Sequence, residues 1–376
     1  MKFLLAPDSF KESMTAKEAC IAMEKGILKI IPNAEIIHVP MADGGEGTME
    51  ALVDATNGKI FEVDVTAPLG NKVKGKYGIL GDGKTAIIEI AQSSGLHLVK
   101  KEKRNPLIAT TYGIGELIKA VLDKGIGKII IGLGGSATND GGVGMLQALG
   151  ASFKDKEGAE IKFGGASLIN LCTIDLSSFD KRIKYIDIEV ACDVTNPLLG
   201  KNGASYVFGP QKGATDEMVY QLEKGLSNYV EVVNKVINKN IDNIEGAGAA
   251  GGLGAALVGF CNGRLRSGVE LVIEYSALKD KLDGCDYVFT GEGSIDYQTK
   301  FGKTLVGVSK IAKEKGIPVI AFAGRIGTGI NELYSLGVKS IICIMQEVVS
   351  LEEALKQGKD NLERTVENVV RIVNTI

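Results

Sequence analysis

Apolar runs at the two ends of the chain alternate between strand and helix periods. Residues 2–6 form a short apolar run that predicts a buried strand. Thr15-Ala-Lys-Glu18 is a capping box that opens a helix to about residue 30. Glu35 to Val39 reads as a second strand, followed by Pro40-Met-Ala-Asp-Gly-Gly-Glu-Gly47 and a helix to about residue 56. The alternation returns after about residue 282. Strands expected at 286–290, 317–321 and 340–344 are each followed by a helix. The first of these helices carries Leu305, Val308, Ile311 and Ala312 at helical spacing, and the last runs from about 350 to 374. Five strand–helix units with short connections predict a flavodoxin-like parallel five-stranded sheet of order 2-1-3-4-5.

The middle of the chain reads differently. Phe61–Val65, Val73–Ile79 and Thr85–Ile90 are strand-like runs separated by Gly and Pro turns with no helix between them, which predicts an antiparallel portion. Helices near 112–124 and 215–239 and strands at 127–131 and 186–192 follow. The expected fold class is therefore α/β. A discontinuous flavodoxin-like domain (1–62 and 282–376) is interrupted by a second α/β mixed-sheet domain (63–281), with an active site in the cleft between them.

In a 2-1-3-4-5 sheet, ligands bind where the strand order reverses, at the carboxyl ends of the strands. The loop after the first strand holds Asp8, Ser9 and Lys11, and the loop after the second holds Asp43 and Glu46. The loop expected after the third, within Thr290-Gly-Glu-Gly-Ser-Ile-Asp296, holds Gly291, Glu292, Gly293 and Asp296. Topology alone brings these to one sheet edge. Carboxylates there can hold a cation or take a proton, and the glycines let the backbone approach a ligand.

Composition narrows the function classes. The 376 residues are 45% hydrophobic and 24% charged, as in ordinary globular proteins, and exceed one typical domain of roughly 100–200 residues. There are 49 glycines, roughly twice the usual share of about 7%, clustered after apolar runs where loops need close approach. A net charge of −3 argues against a nucleic-acid footprint. The six cysteines form no C-x-x-C and are expected to be buried free thiols. With two histidines, both read as structural, a His-based zinc site or a Ser-His-Asp triad is not expected. No secretory signal and no apolar run of about 20 residues is present, so a cytoplasmic location without a membrane partner is expected.

Several motifs bear on phosphate chemistry. Gly302-Lys303-Thr304 resembles the end of a P-loop, but Tyr297 stands where the motif needs glycine. Lys303 still offers a point charge near a helix start, or is a solvated first-turn lysine. Gly132-x-Gly134-x-x-Ala137 formally matches a dinucleotide fingerprint, yet Asp155, near the expected acid position, sits in the turn-like run 154–158. A phosphate cradle of successive backbone N–H groups fits Gly134, Gly135, Ser136, Thr138 and Asn139 better. Gly246–Gly254 reads as a close-packed helix start or a phosphate-facing loop. Asp193-x-x-Asn196 ends an apolar strand and is either a base or metal-binding carboxylate, or an Asx turn before Pro197. Arg266 either grips a carboxylate bidentately or is an ordinary surface arginine.

Taken together, Ala6-Pro-Asp-Ser-Phe-Lys11, Ala42-Asp-Gly-Gly-Glu-Gly-Thr48, Gly132–Gly142, Ala191-Cys-Asp-Val-Thr-Asn-Pro197, Phe208-Gly-Pro-Gln-Lys-Gly213, Gly248–Gly254 and Thr290–Asp296 with Gln298-Thr299 resemble the bacterial glycerate kinase family, type 1. The resemblance spans the chain in order; one departure is Glu12, where the family commonly has glycine. It implies a discontinuous flavodoxin-like domain and ATP- and Mg2+-dependent phosphorylation of D-glycerate, mainly to 2-phosphoglycerate, though the name has also covered the 3-phosphate. Small-molecule glycerate is then the partner, and a homo-oligomer is compatible with it. Individual roles follow from chemistry and stay expectations. Gly134, Gly135, Ser136, Thr138, Asn139, Gly291, Gly293 and Lys303 would hold the nucleotide. Glu292, Asp296 and also Asp43 would hold the metal, directly or through water. Ser9, Lys11, Asp43, Asn196 and Arg266 would meet glycerate, and Asp193 or Asp8 would take the proton. Two other classes fit some of the motifs. Gly132–Ala137 is similar to the phosphate loop of the galactokinase and homoserine kinase group, and a nucleotide-binding module without turnover also fits.

Overall fold

The computed structural model describes residues 1–301 and 304–375. Among them the strands are β1 (Lys2–Leu5), β2 (Glu35–His38), β3 (Lys59–Thr66), β4 (Lys72–Ile79), β5 (Thr85–Glu89), β6 (Lys128–Gly132), β7 (Ser152–Lys154), β8 (Thr173–Asp175), β9 (Asp187–Ala191), β10 (Arg264–Arg266), β11 (Tyr287–Ile295), β12 (Val319–Ile326) and β13 (Val338–Cys343). The chain divides into two compact units. Unit 1 comprises Met1–Asp43, Glu50–Asn57 and Val269–Ile376; unit 2 comprises Gly44–Met49 and Gly58–Gly268.

Unit 1 is built on an all-parallel sheet of order β2-β1-β11-β12-β13, the 2-1-3-4-5 order expected from the alternation. Strand β1 is central because it is apolar on both faces: Phe3, Leu4 and Leu5 are fully buried, as parallel strands covered on both sides must be. Phe3 pairs with Tyr287 and Leu5 with Phe289. The helix Ala16–Leu28 begins at the Thr15–Glu18 capping box, both halves of which form. It packs against Leu351–Val373, whose own start is a second capping box, Ser350–Glu353. The close approach needs Gly26: a Cβ there would lie 2.5 Å from the Glu363 carbonyl oxygen. Phe10, Met23, Ile27, Phe289, Phe322, Leu362 and Val366 share this core.

One expectation needs correction. The acid- and glycine-bearing segment after residue 290, read as a loop, is strand. β11 runs to Ile295, and Glu292, Ser294 and Ile295 pair with Ala323, Arg325 and Ile326 of β12. Glycine lowers strand propensity in isolation, but a long partner decides the pairing.

Unit 2 holds a six-stranded mixed sheet, β10-β9-β6-β5-β4-β3. β3, β4 and β5 are antiparallel, whereas β5, β6, β9 and β10 are parallel. Its core gathers Ile88, Ile118, Ile131, Leu146, Val190, Leu226, Tyr229 and Leu253. Gly246–Gly254 is a close-packed helix start: Ala250, Gly251 and Gly252 all have positive φ. A Cβ on Gly251 would fall 2.1 Å from the Thr138 carbonyl oxygen. Of the cysteines expected to be buried, Cys20, Cys261 and Cys285 are, while Cys172 and Cys343 are exposed. No helix among the described residues is long and apolar enough to cross a membrane.

Candidate active site

In unit 1, the sheet edge gathers Asp8, Ser9, Lys11, Asp43, Gly291, Glu292, Gly293 and Asp296 of the predicted residues. The loop after β1 is laid over β11: Asp8 N donates to Gly291 O at 2.8 Å, and the Thr290 hydroxyl donates to Ala6 O at 2.7 Å. Gly291 is required where β11 meets β12, whereas Gly293 is only in ordinary contact with the loop after β1. A Cβ at Gly291 would lie 2.3 Å from Phe322 O, and one at Gly293 would lie 3.4 Å from Lys11 N. Asp8 is half-buried and fixed by two donors: the Thr304 hydroxyl at 2.7 Å on Oδ2 and Ser9 N at 2.6 Å on Oδ1. Burial pushes its carboxyl up to about 6, nearby Asp43 pushes the same way, and Thr304, Ser9 and Lys11 pull it back. Asp8, Ser9, Lys11 and Asp43 therefore form one electrostatic group.

Glu292 and Asp296 are linked through Thr299. The Thr299 hydroxyl donates to Glu292 Oε1 at 3.2 Å and accepts from Asp296 N at 3.2 Å. The Asp296 carboxylate turns onto its own backbone, accepting from Gln298 N at 2.9 Å. No group of three or more His, Cys, Asp or Glu residues among the described residues forms a ready metal cage. Lys303 lies outside the described residues.

In unit 2, the carboxyl ends of the parallel strands converge on Gly44 and Gly45. A Cβ on Gly44, whose φ is +90°, would meet Gly268 Cα at 2.7 Å and Asp193 Oδ2 at 3.6 Å. A Cβ on Gly134 would meet Gly45 Cα at 2.9 Å. Buried Glu89, at the end of β5, accepts from Met49 N at 2.8 Å. Exposed Asp193 follows β9 and accepts from Gly268 N at 3.0 Å. Asn196 donates to Asn202 O at 2.8 Å. Arg266 is already held, with Nη1 3.1 Å from the buried carboxylate of Glu189.

The glycine-rich loop after β6 is split between surface and interior. Gly135 is exposed and Gly134 half-buried, whereas Ser136, Thr138, Asn139 and Asp140 are buried. Asp140 anchors the loop: Thr111 N at 2.8 Å, the Thr111 hydroxyl at 2.9 Å, Gly142 N at 3.2 Å and Gly144 N at 3.3 Å all donate to it. Burial still pushes this carboxyl upward. Below the loop, fully buried Lys212 donates from Nζ to Thr138 O at 2.7 Å. Burial brings its ammonium down to about 7, against the pull of Asp140. The backbone of Gly134 and Gly135, not the side chains of Thr138 and Asn139, is the part of the loop that faces outward.

Sequence reasoning gave no role to Thr304, Asp140, Lys212 or Glu89. Lys212 lay inside a motif already singled out, Phe208–Gly213, but a lysine between Pro and Gly reads as a loop residue until burial is seen.

A parallel sheet whose carboxyl edge carries acids and backbone-approach glycines, in a chain with a second glycine-rich loop anchored from beneath, is the architecture of an α/β small-molecule phosphotransferase. The sequence model of the Glycerate kinase family matches residues 3–374, and the chain belongs to that family. It is 51% identical to glycerate kinase of Haemophilus influenzae over 373 residues, covering 99% of each chain. It is 49% identical to glycerate 2-kinase of Escherichia coli over 369 residues, covering 98% of this chain and 97% of that one. A crystal structure from Salmonella typhimurium LT2 that carries the glycerate kinase 2 designation superposes with a TM-score of 0.90 at 47% identity, over 100% of this chain and 98% of that one.

Proposed function

We propose that the protein transfers the γ-phosphoryl group of ATP to a hydroxyl of D-glycerate and forms 2-phosphoglycerate. Family membership supports the reaction class, and the relative named glycerate 2-kinase supports the position. The observation that carries the chemistry is Asp8, a half-buried carboxylate whose proton affinity is raised to about 6 at the carboxyl edge of the parallel sheet. A base tuned near working pH is suited to accept the proton of an attacking hydroxyl.

Roles follow within each unit. Asp8 takes the proton, with Thr304 and Ser9 N holding its two oxygens in place. Lys11 and Ser9 meet the glycerate carboxylate and hydroxyls. The backbone of half-buried Gly134 and exposed Gly135 cradles phosphate oxygens, supported by Asp140 and Lys212. Arg266 and Asn196 are already engaged and act as positioning residues. Asp193 is the rival base, because it follows β9 beside Gly44 and is exposed.

The acidic edge fits Mg2+ in kind. Its donors are hard carboxylate oxygens, and the repulsion between Asp43 and Asp8 is the field that a dication relieves. Magnesium is commonly held by one or two carboxylates plus phosphates, so a full protein cage is not required. Glu292, Asp296 and Asp43 would hold it, directly or through water. When bound it neutralises charge on the phosphates.

The test is ADP release with D-glycerate and ATP, with the product assigned by phosphorus NMR. A 2-phosphoglycerate resonance and loss of turnover in excess EDTA are expected. No glycerate-dependent ADP release would reject the reading.

A further inference from the structure

Unit 2 contains four arginines, Arg104, Arg182, Arg264 and Arg266. Arg182 is held by Asp180 and Asp123 at 2.7 Å, Arg264 by Asp187 at 2.6 Å and Arg266 by Glu189 at 3.1 Å. Arg104 differs. No carboxylate among the described residues pairs with it, and its Nε is buried without a hydrogen-bond partner. A guanidinium stays ionised at any working pH, and leaving one of its donors buried and unpaired is costly. The residue as a whole is only partly buried, so its charge is open to an anion.

The chain around Arg104 runs beside the glycine-rich loop. A Cβ on Gly213 would lie 2.5 Å from Arg104 O and 2.9 Å from Arg104 Cβ, and the adjacent Lys212 reaches Thr138 O. One step on, the same point above Gly165 lies 2.5 Å from Asn139 O and 3.3 Å from Pro106 O. At the far end Thr111 holds Asp140. Residues 104–111 thus track residues 138–140. Before the loop, Leu96 N donates to Gly135 O and Ala137 N to Ser94 O, at 2.8 Å each. The intervening run presents Lys100, Lys101 and Lys103 at the surface, with Glu102 as its one acid.

We propose that Arg104 binds the polyphosphate of the nucleotide beside the Gly134–Thr138 loop. This deepens the kinase reading and rests on it. Arginine matches phosphate bidentately, and three exposed lysines in the preceding four residues suit a ligand with several negative charges better than a single carboxylate. The Lys212 ammonium does not fill this place, since it is turned onto the Thr138 carbonyl.

The experiment is ADP binding by calorimetry to the full chain and to Arg104→Gln and Arg104→Lys. Arg182→Gln, which removes a surface ion pair, is the control. Arg104→Gln should weaken ADP 10- to 100-fold and raise KM for ATP similarly, with KM for glycerate within twofold and thermal unfolding no lower than wild type. Arg104→Lys should lie between, because an ammonium lacks the fork. Unchanged ADP affinity in a folded Arg104→Gln chain, or a rise confined to KM for glycerate, overturns the proposal. Should Arg104→Gln not fold, Arg104→Lys decides: ADP affinity within twofold of wild type overturns it. If the wild-type chain binds no ADP, the kinase reading fails, and the Arg104 proposal fails with it.

Discussion

The Thr304 hydroxyl donates to Oδ2 of Asp8 at 2.7 Å and joins the start of a helix to the loop after the first strand, 296 residues earlier. This bond favours the ionised carboxylate, against burial and Asp43. Thr304→Val should therefore raise the Asp8 pKa above about 6 and shift the acid limb of kcat/KM to higher pH. The fold should be retained. A pH–rate profile with an unmoved acid limb would show that Asp8 does not govern turnover.

Asp8 and Asp193 make opposite predictions. Asp8→Asn should lower kcat by about 10²–10⁴-fold, the usual scale for losing a general base. Asp193→Asn should lower it less than about tenfold, because the amide oxygen can still accept from Gly268 N. If the larger loss falls on Asp193, the two roles are exchanged. A loss at Asp193 rescued by added metal would instead make it a magnesium ligand.

The Asp8 pKa also enters stability. A carboxyl raised from 3.8 to about 6 on folding favours the native state when protonated, so its contribution is present below pH 3.8 and lost as pH rises through 6. Asp8→Asn, which is never charged, should gain stability over wild type above pH 6, on the order of 2–3 kcal/mol. The gain should vanish near pH 4. Denaturant unfolding at both pH values measures it.

Lys212 carries the opposite sign. Its folded pKa, about 7, lies below the unfolded 10.5, so the unfolded chain binds more protons between these values. Wild-type stability should rise from pH 7 to 8.5 relative to Lys212→Met, which lacks the group. A difference between the two chains that stays flat with pH would place the Lys212 titration elsewhere.

Glu12 stands in the left-handed region, with φ of +64°, inside the tight turn that Phe10 N closes by donating to Met14 O at 2.9 Å. Its side chain is exposed. Glu12→Gly should stabilise the chain by about 1 kcal/mol by removing the Cβ penalty, with kcat unchanged. Chemical unfolding would report it as a higher midpoint.

Much of the architecture was legible because its signals are local. The capping box at Thr15–Glu18, the apolar run Phe3–Leu5 and the strand–helix alternation each follow from a few neighbouring residues. Topology then placed Asp8, Asp43 and Glu292 at one edge. Local signals failed where a distant partner decides. Glu292 sits in a strand because β12 is long enough to pair with it. Lys212 is buried with its Nζ on the carbonyl of Thr138, 74 residues earlier. Arg104 lay in Lys-Lys-Glu-Lys-Arg, a run that reads as solvated charge, and its lack of a counter-ion is visible only in three dimensions.

The central position of β1 bears on how the protein is made. β1 becomes the middle of its sheet, yet its neighbour β11 is made 284 residues after it. At synthesis rates of about 5–20 residues per second, Phe3, Leu4 and Leu5 have only β2 beside them for on the order of 15–60 seconds. Over that interval every strand of unit 2 has already emerged. Unit 2 is therefore placed to fold first, and the amino-terminal strands remain a sticky half-sheet until translation nears its end. Slowed translation or scarce chaperones should cost this protein most at the β1–β2 pair.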